Sequence, residues 1–301
     1  MKNNTDLSSI SAIGSITYRQ LPEENQDYTR KVRNTALGVQ AIIVADGLGS
    51  QEYSGLGARW ASELAAEIIQ SAASLTEIEL QDMFMKIRRS IKNKAESFLI
   101  EQGVVVDRNQ SFGTTLIIAI EDASSIMIGY VGNGAIWHIR GSFNDFSENL
   151  YFPWNALNYL NPHTVQNEFG KEALYRMISI SDNDAETNPT ILKINKDSLY
   201  GDILMICTDG IYSNDQVSVG RMQDSSIWCK TEPTISRFLA MLNDFFLSAK
   251  HVTDDYLFDS LNRYLSEALT AGLFDDDASI GLIISDAALK YQCNRKKHLK
   301  S

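Results

Sequence analysis

The order in which apolar runs follow one another constrains this 301-residue chain more than any other feature. Strand-like stretches fall at 10–18, 38–45, 114–120, 125–131, 135–140, 190–194, 203–208 and 278–285, so they occupy both ends and the middle. Helical stretches come in pairs. Leu56, Trp60, Leu64 and Ile68 are spaced for a helix over 54–73, with Ser54 as its N-cap. Met83, Ile87, Ile91 and Phe98 share one stripe of a longer helix over 76–102, and a second pair covers 234–249 and 254–271. The three central strands are joined by short links rich in Gly, Asp and Asn, the pattern of an antiparallel meander. The polar stretch from Gln20 to Arg33 reads as a connection. Strands and helices do not alternate one for one, which argues against a parallel sheet. The order predicts antiparallel sheets covered by helix pairs, an α+β layered domain.

Composition removes several functional classes. The net charge is −11, unlike the basic face of a general nucleic-acid binder or a polybasic membrane anchor. No run approaches the roughly 20 apolar residues of a membrane span. The first residues contain no apolar segment of the signal-peptide type. Cys207, Cys229 and Cys293 are odd in number and far apart, which fits reduced thiols in the cytoplasm better than a disulfide framework or a zinc site. Arg295, Lys296, Lys297 and Lys300 form the one basic cluster, read as a solvated tail over 287–301. No nucleic-acid or membrane partner is expected.

Four acidic residues share a setting. Asp46 closes IIVAD, Asp209 closes ILMICTD, Asp276 precedes the last strand in FDDDASIGLII, and Asp27 lies in ENQDY. Each on its own is an ordinary turn residue. If the strands are neighbours, their ends gather several carboxylates, and like charges held close call for cations. Oxygen ligands without His or Cys select Mg²⁺ or Mn²⁺. His138, His163, His251 and His298 are scattered, so zinc is not expected.

These motifs occur in a familiar order. ENQD, VADGLGS, SFGTTL, VGNGAIW, GDILMICTDG and DDDAS, spread from about residue 10 to 286, resemble the metal-dependent type 2C protein serine/threonine phosphatases, most closely their compact bacterial branch. The resemblance implies a β-sandwich of two antiparallel sheets flanked by helix pairs, in a single domain over 1–286 with a flap at about 141–178 that shapes substrate choice. It implies a centre of two Mg²⁺ or Mn²⁺ ions: Asp46 bridging both, the Gly47 carbonyl on one, Asp209 and Asp276 on the other, and Asp27 binding directly or through water. A water activated by the two ions would attack phosphoserine or phosphothreonine. The implied partners are a phosphorylated protein substrate and a cognate Ser/Thr kinase.

The sequence departs from the family pattern at several points. Pro22 stands where many members place a phosphate-gripping arginine, leaving Arg19, or else Arg30 or Arg33, as candidates. Gln26 replaces an acidic residue, Asn133 an aspartate, and Asp277 an asparagine. Leu48 occupies the position of an occasional general-acid histidine. A third metal is left unassigned, Asp107 being the nearby acid. The departures keep a second function open: a phosphatase-like module that binds a phosphoprotein with little or no turnover.

Overall fold

The computed structural model describes residues 8–18, 25–104, 111–141, 154–166, 172–212, 215, 217–221, 223–224, 227–231, 234–248 and 252–298. Two five-stranded antiparallel sheets form its centre. The first contains β1 (Ile10–Ile16), β6 (Ala135–Gly141), β7 (Trp154–Asn158), β11 (Ile203–Cys207) and β14 (Ala278–Ile284), in the spatial order β1-β14-β11-β6-β7. The second contains β2 (Asp27–Asn34), β3 (Val39–Asp46), β4 (Leu116–Glu121), β5 (Ser125–Val131) and β10 (Thr190–Asn195), in the order β10-β5-β4-β3-β2. Two small hairpins, β8 (Thr164–Gln166) with β9 (Glu172–Leu174) and β12 (Val217–Arg221) with β13 (Ile227–Thr231), stand apart from these sheets.

Side-chain alternation explains the layers. Ile42 and Val44 of β3 pack with Ile117, Ile128, Ile206 and Ile283 between the sheets. Their neighbours Ile43 and Ala45 point the other way, onto α1 (Ser54–Ser71) and α2 (Glu77–Gln102) through Ala58, Ala61, Phe84 and Ile87. The outer face of the first sheet packs on α3 (Thr234–Ser248) and α4 (Asp254–Thr270) through Phe238, Phe245, Leu257 and Leu261. Both faces of the central strands are therefore covered, which is why AIIVA and LIIAI are continuous apolar runs rather than alternating ones. The result is four layers, helices outside and two sheets within, as expected.

Five local expectations are corrected. Residues 27–34 are a strand, not a connection. β2 is an edge strand whose basic side chains are paired from both helix layers: Arg30 with Glu63 of α1, and Lys31 and Arg33 with Asp254 of α4. The meander stops at two strands, because β5 and β6 lie in opposite sheets and the chain crosses between them at Gly132–Gly134. Ser54 does not cap α1. The flanking residue is Tyr53, no side chain caps the end, and the Ser54 hydroxyl donates to the Gln51 carbonyl. Thr76, by contrast, forms a full capping box with Glu79 at the start of α2. The expected flap over about 141–178, of which 142–153 and 167–171 lie outside the described residues, is partly built into the sandwich, since β7 pairs with β6 and Leu160 and Ile178 are buried. The expected tail begins as α5 (Asp286–His298), with Ala288 and Leu289 in the core.

Candidate metal centre

All four singled-out aspartates sit at one end of the sandwich, because the strands that carry them end there. Asp46 is the last residue of β3 and lies directly opposite Asp27, the first of β2. It shares the parity of Ile42 and Val44, so it faces the space between the sheets. Asp209 follows β11 and Asp276 precedes β14, two strands paired antiparallel with Cys207 opposite Ile280. Asp27 is 3% exposed, Asp46 and Asp209 are half-buried, and Asp276 is exposed.

Neighbouring groups fix the cluster through the backbone. The Asp46 carbonyl accepts from the Thr114 hydroxyl (2.8 Å) and the Thr115 amide (2.8 Å), and the Asp46 amide donates to the Thr115 hydroxyl (3.2 Å). The GTT motif is thus a clamp on Asp46. Thr208 hydroxyl donates to Asp27 (2.7 Å) and accepts from the Ser279 amide (3.0 Å), tying the two sheets at the site. Asn133 donates its amide to Asp209 (2.6 Å), so this uncharged residue holds the aspartate from the neighbouring turn. Thr208 and the two threonines of GTT had no assigned role in the sequence. Their signal was position: β-branched hydroxyl residues immediately beside a strand-end aspartate or on the strand facing it.

Two glycines are required by close approach. A side chain on Gly47 would meet the Ser54 backbone at 2.7 Å, so the glycine lets the chain turn directly under the start of α1. A Cβ on Gly210 would sit 1.9 Å from the Asp277 carbonyl, so this glycine lets the Asp209 turn lie against the Asp276–Asp277 backbone. Gly210→Ala is expected to push those segments apart. It should lower stability by about 1–3 kcal/mol in urea unfolding and weaken Mn²⁺ binding, both at once.

The electrostatics are those of crowded anions. Burial pushes the Asp27 carboxyl up to about 8, with Asp277 adding to the rise and the Thr208 hydroxyl opposing it. Asp46 is raised well above the usual carboxylate range, first by burial and then by the charges of Asp27 and Asp209. Asp209 is raised by burial and by Asp276, against the Asn133 hydrogen bond. Among the described residues no group of three or more His, Cys, Asp or Glu is drawn tightly enough together to close on one ion. Asp46 lies opposite Asp27 on the paired strand and feels the charges of Asp209 and Asp276 from the other sheet. The donor set still fits a hard divalent cation, since it is all oxygen and its like charges are stabilised by one.

A cleft of ≈ 740 Å³ opens beside Asp276, floored by Tyr53, Leu56 and Phe98. A second cleft of the same volume, near Lys196 and Tyr291, lies at the other end of the strands, away from the carboxylates. Asp277 accepts from the Tyr18 amide (2.9 Å) and the Gln26 amide (2.8 Å) at the cleft wall. Arg19, Pro22 and Asp107 lie outside the described residues. Arg30 and Arg33 do not serve the site, being committed to Glu63 and Asp254.

A family model for protein phosphatase 2C matches residues 19–266, most of the chain. The chain belongs to the protein phosphatase 2C family. Its relatives are protein serine/threonine phosphatases, and solved structures agree on the fold. The serine/threonine phosphatase Stp1 of Staphylococcus aureus is 11% identical, with a TM-score of 0.58 over 95% of this chain and 98% of that one. The S. agalactiae serine/threonine phosphatase is 16% identical, also at 0.58, over 91% and 98%. The catalytic domain of the phosphatase PstP, solved with two manganese ions, is 13% identical at 0.56 over 92% and 98%. No curated protein sequence matches significantly. Among the described residues no helix is long and apolar enough to cross a membrane.

Proposed function

We propose that this phosphatase 2C chain hydrolyses phosphoserine and phosphothreonine esters in proteins, using two Mg²⁺ or Mn²⁺ ions. The observation that carries the reading is the meeting of Asp27 and Asp46 from one sheet with Asp209 and Asp276 from the other. Asp46 would stand between two ion positions, with Asp27 and the Gly47 carbonyl on one side and Asp209 and Asp276 on the other. Ions bound there supply a water of lowered pKa and neutralise charge on the phosphoryl oxygens. The chain's own part is to hold its carboxylates still, through Thr114, Thr115, Thr208 and Asn133. Cys207 is no rival nucleophile, because it is buried and its thiol is pushed far up by that burial. With Leu48 beside Gly47, protonation of the leaving oxygen falls to water. The natural substrate on this reading is a cytoplasmic phosphoprotein, with a cognate Ser/Thr kinase as its counterpart.

One observation favours a second reading, a binding module with little turnover: Arg30 and Arg33 are engaged away from the site. Hydrolysis of p-nitrophenyl phosphate and a phosphothreonine peptide, with and without millimolar Mn²⁺, separates the two. Mn²⁺-dependent turnover of both is expected. A folded chain that binds the peptide but releases no phosphate would overturn the enzyme reading.

A further inference from the structure

His163 belongs to the segment expected to act as a flap, yet it is 4% exposed and reaches the crossing between the sheets. Its Nδ1 accepts from the Gly132 amide at 3.2 Å, and its own amide donates to the Gly132 carbonyl at 3.0 Å. An imidazole nitrogen that accepts from an amide is unprotonated, so the ring proton lies on Nε2, which donates to the Thr190 hydroxyl at 2.8 Å. The ring is stacked on Tyr130 at 5.0 Å and meets the edge of Tyr175 at 5.8 Å.

The turn it holds is unusual. Gly132 and Gly134 have φ of 97° and 113°, a region other residues rarely enter. Such a turn gains little from its own residues and depends on partners. His163 grips it at Gly132. Tyr212 grips it at Gly134, accepting from the amide (3.2 Å) and donating to the carbonyl (2.9 Å). Between the two grips stands Asn133, whose amide donates to Asp209.

We propose that His163 is a positioning residue for the metal centre, holding the Gly132–Gly134 turn so that Asn133 is aimed at the Asp209 carboxylate. The inference rests on Asp209 being a metal ligand. It makes the 141–178 segment part of the apparatus that sets metal affinity, besides any contact with substrate.

Two substitutions separate positioning from packing. Asn at 163 places an acceptor oxygen near the position of Nδ1, whereas Gln places its polar end near Nε2 and leaves the Gly132 amide without a partner. Both lose the ring stack, so both should melt below wild type. Only His163→Gln should lose affinity for Mn²⁺, measured on the full chain by isothermal titration calorimetry. The expected rise in Kd is about tenfold for His163→Gln and at least about tenfold for Asn133→Ala, the range for groups that orient a ligand. His163→Asn should bind near the wild-type value. The His163→Gln/Asn133→Ala double variant should bind no more weakly than Asn133→Ala, because both changes break one chain of contacts.

Equal Kd values for the Asn and Gln variants, or penalties that multiply in the double variant, would overturn the proposal. A wild-type chain that binds no Mn²⁺ would remove the metal-centre reading, and this inference with it. Should His163→Gln not fold, Thr190→Val takes its place. It removes only the Nε2–H partner and should raise Kd about threefold, and an unchanged Kd there would equally overturn the proposal.

Discussion

Asp46→Asn is expected to remove Mn²⁺-dependent phosphatase activity by about 10²–10³-fold or more, while far-UV circular dichroism stays at wild type. The GTT clamp holds residue 46 by its backbone alone: the Thr114 hydroxyl, the Thr115 amide and the Thr115 hydroxyl. An asparagine keeps all three. What it removes is the carboxylate that meets Asp27 on the neighbouring strand of its own sheet and Asp209 from the other sheet. Loss at Asp46 should exceed loss at Asp276, which is exposed to solvent. Without added ions the variant should melt above wild type, because one of several crowded negative charges is gone. Higher stability with lower activity is the usual exchange at a site built from strained or like-charged groups. Wild-type turnover in Asp46→Asn would exclude this carboxylate as the centre of the site.

The layered α+β architecture was legible because both faces of the central strands are buried, leaving apolar runs such as AIIVA that are hard to read otherwise. The aspartates were legible for the opposite reason: each breaks such a run at its end. Register was not legible. Nothing in DYTRKVRN announces a strand, because its partners are charged groups on α1 and α4, hundreds of residues away in the case of Asp254. The crossing at Gly132–Gly134 was read as a hairpin for a related reason. Glycines show that a turn is tight, but which sheet receives the next strand is decided by pairing with β11 and β7, both later in the chain. Contacts that position the site had the same character. Thr208 to Asp27, and Asn133 to Asp209, join residues 181 and 76 apart. A single sequence carries no signal for such pairs beyond residue type.

In EDTA, the melting temperature of the wild-type chain is expected to fall as the pH is raised from about 6.5 to about 8. Asp27 has an ordinary value of 3.8 and is pushed up to about 8 in the folded chain. Below 3.8 both states carry the proton and the contribution to stability is fully present. Between the two values the unfolded chain ionises while the folded one must keep its proton, so stability is lost at about 1.4 kcal/mol per pH unit. Asp46 and Asp209 are shifted in the same direction and add to the loss. His163 opposes it at lower pH: its value is lowered from 6.5 to about 4, so the folded state gains stability as pH rises through that interval. Asp202 and Asp122, with lowered values, also gain stability with rising pH, but below about 4. The interval from 6.5 to 8 is therefore left to the carboxylate cluster, and about 2 kcal/mol of stability should disappear across it. Asp27→Asn should flatten that slope. Saturating Mn²⁺ should reverse it, because ion and proton compete for the same oxygens and a ligand at a hundred times its Kd adds about 2.7 kcal/mol. A melting temperature in EDTA that is level from 6.5 to 8, or equally steep in wild type and Asp27→Asn, would show that these carboxylates are not held together without a cation.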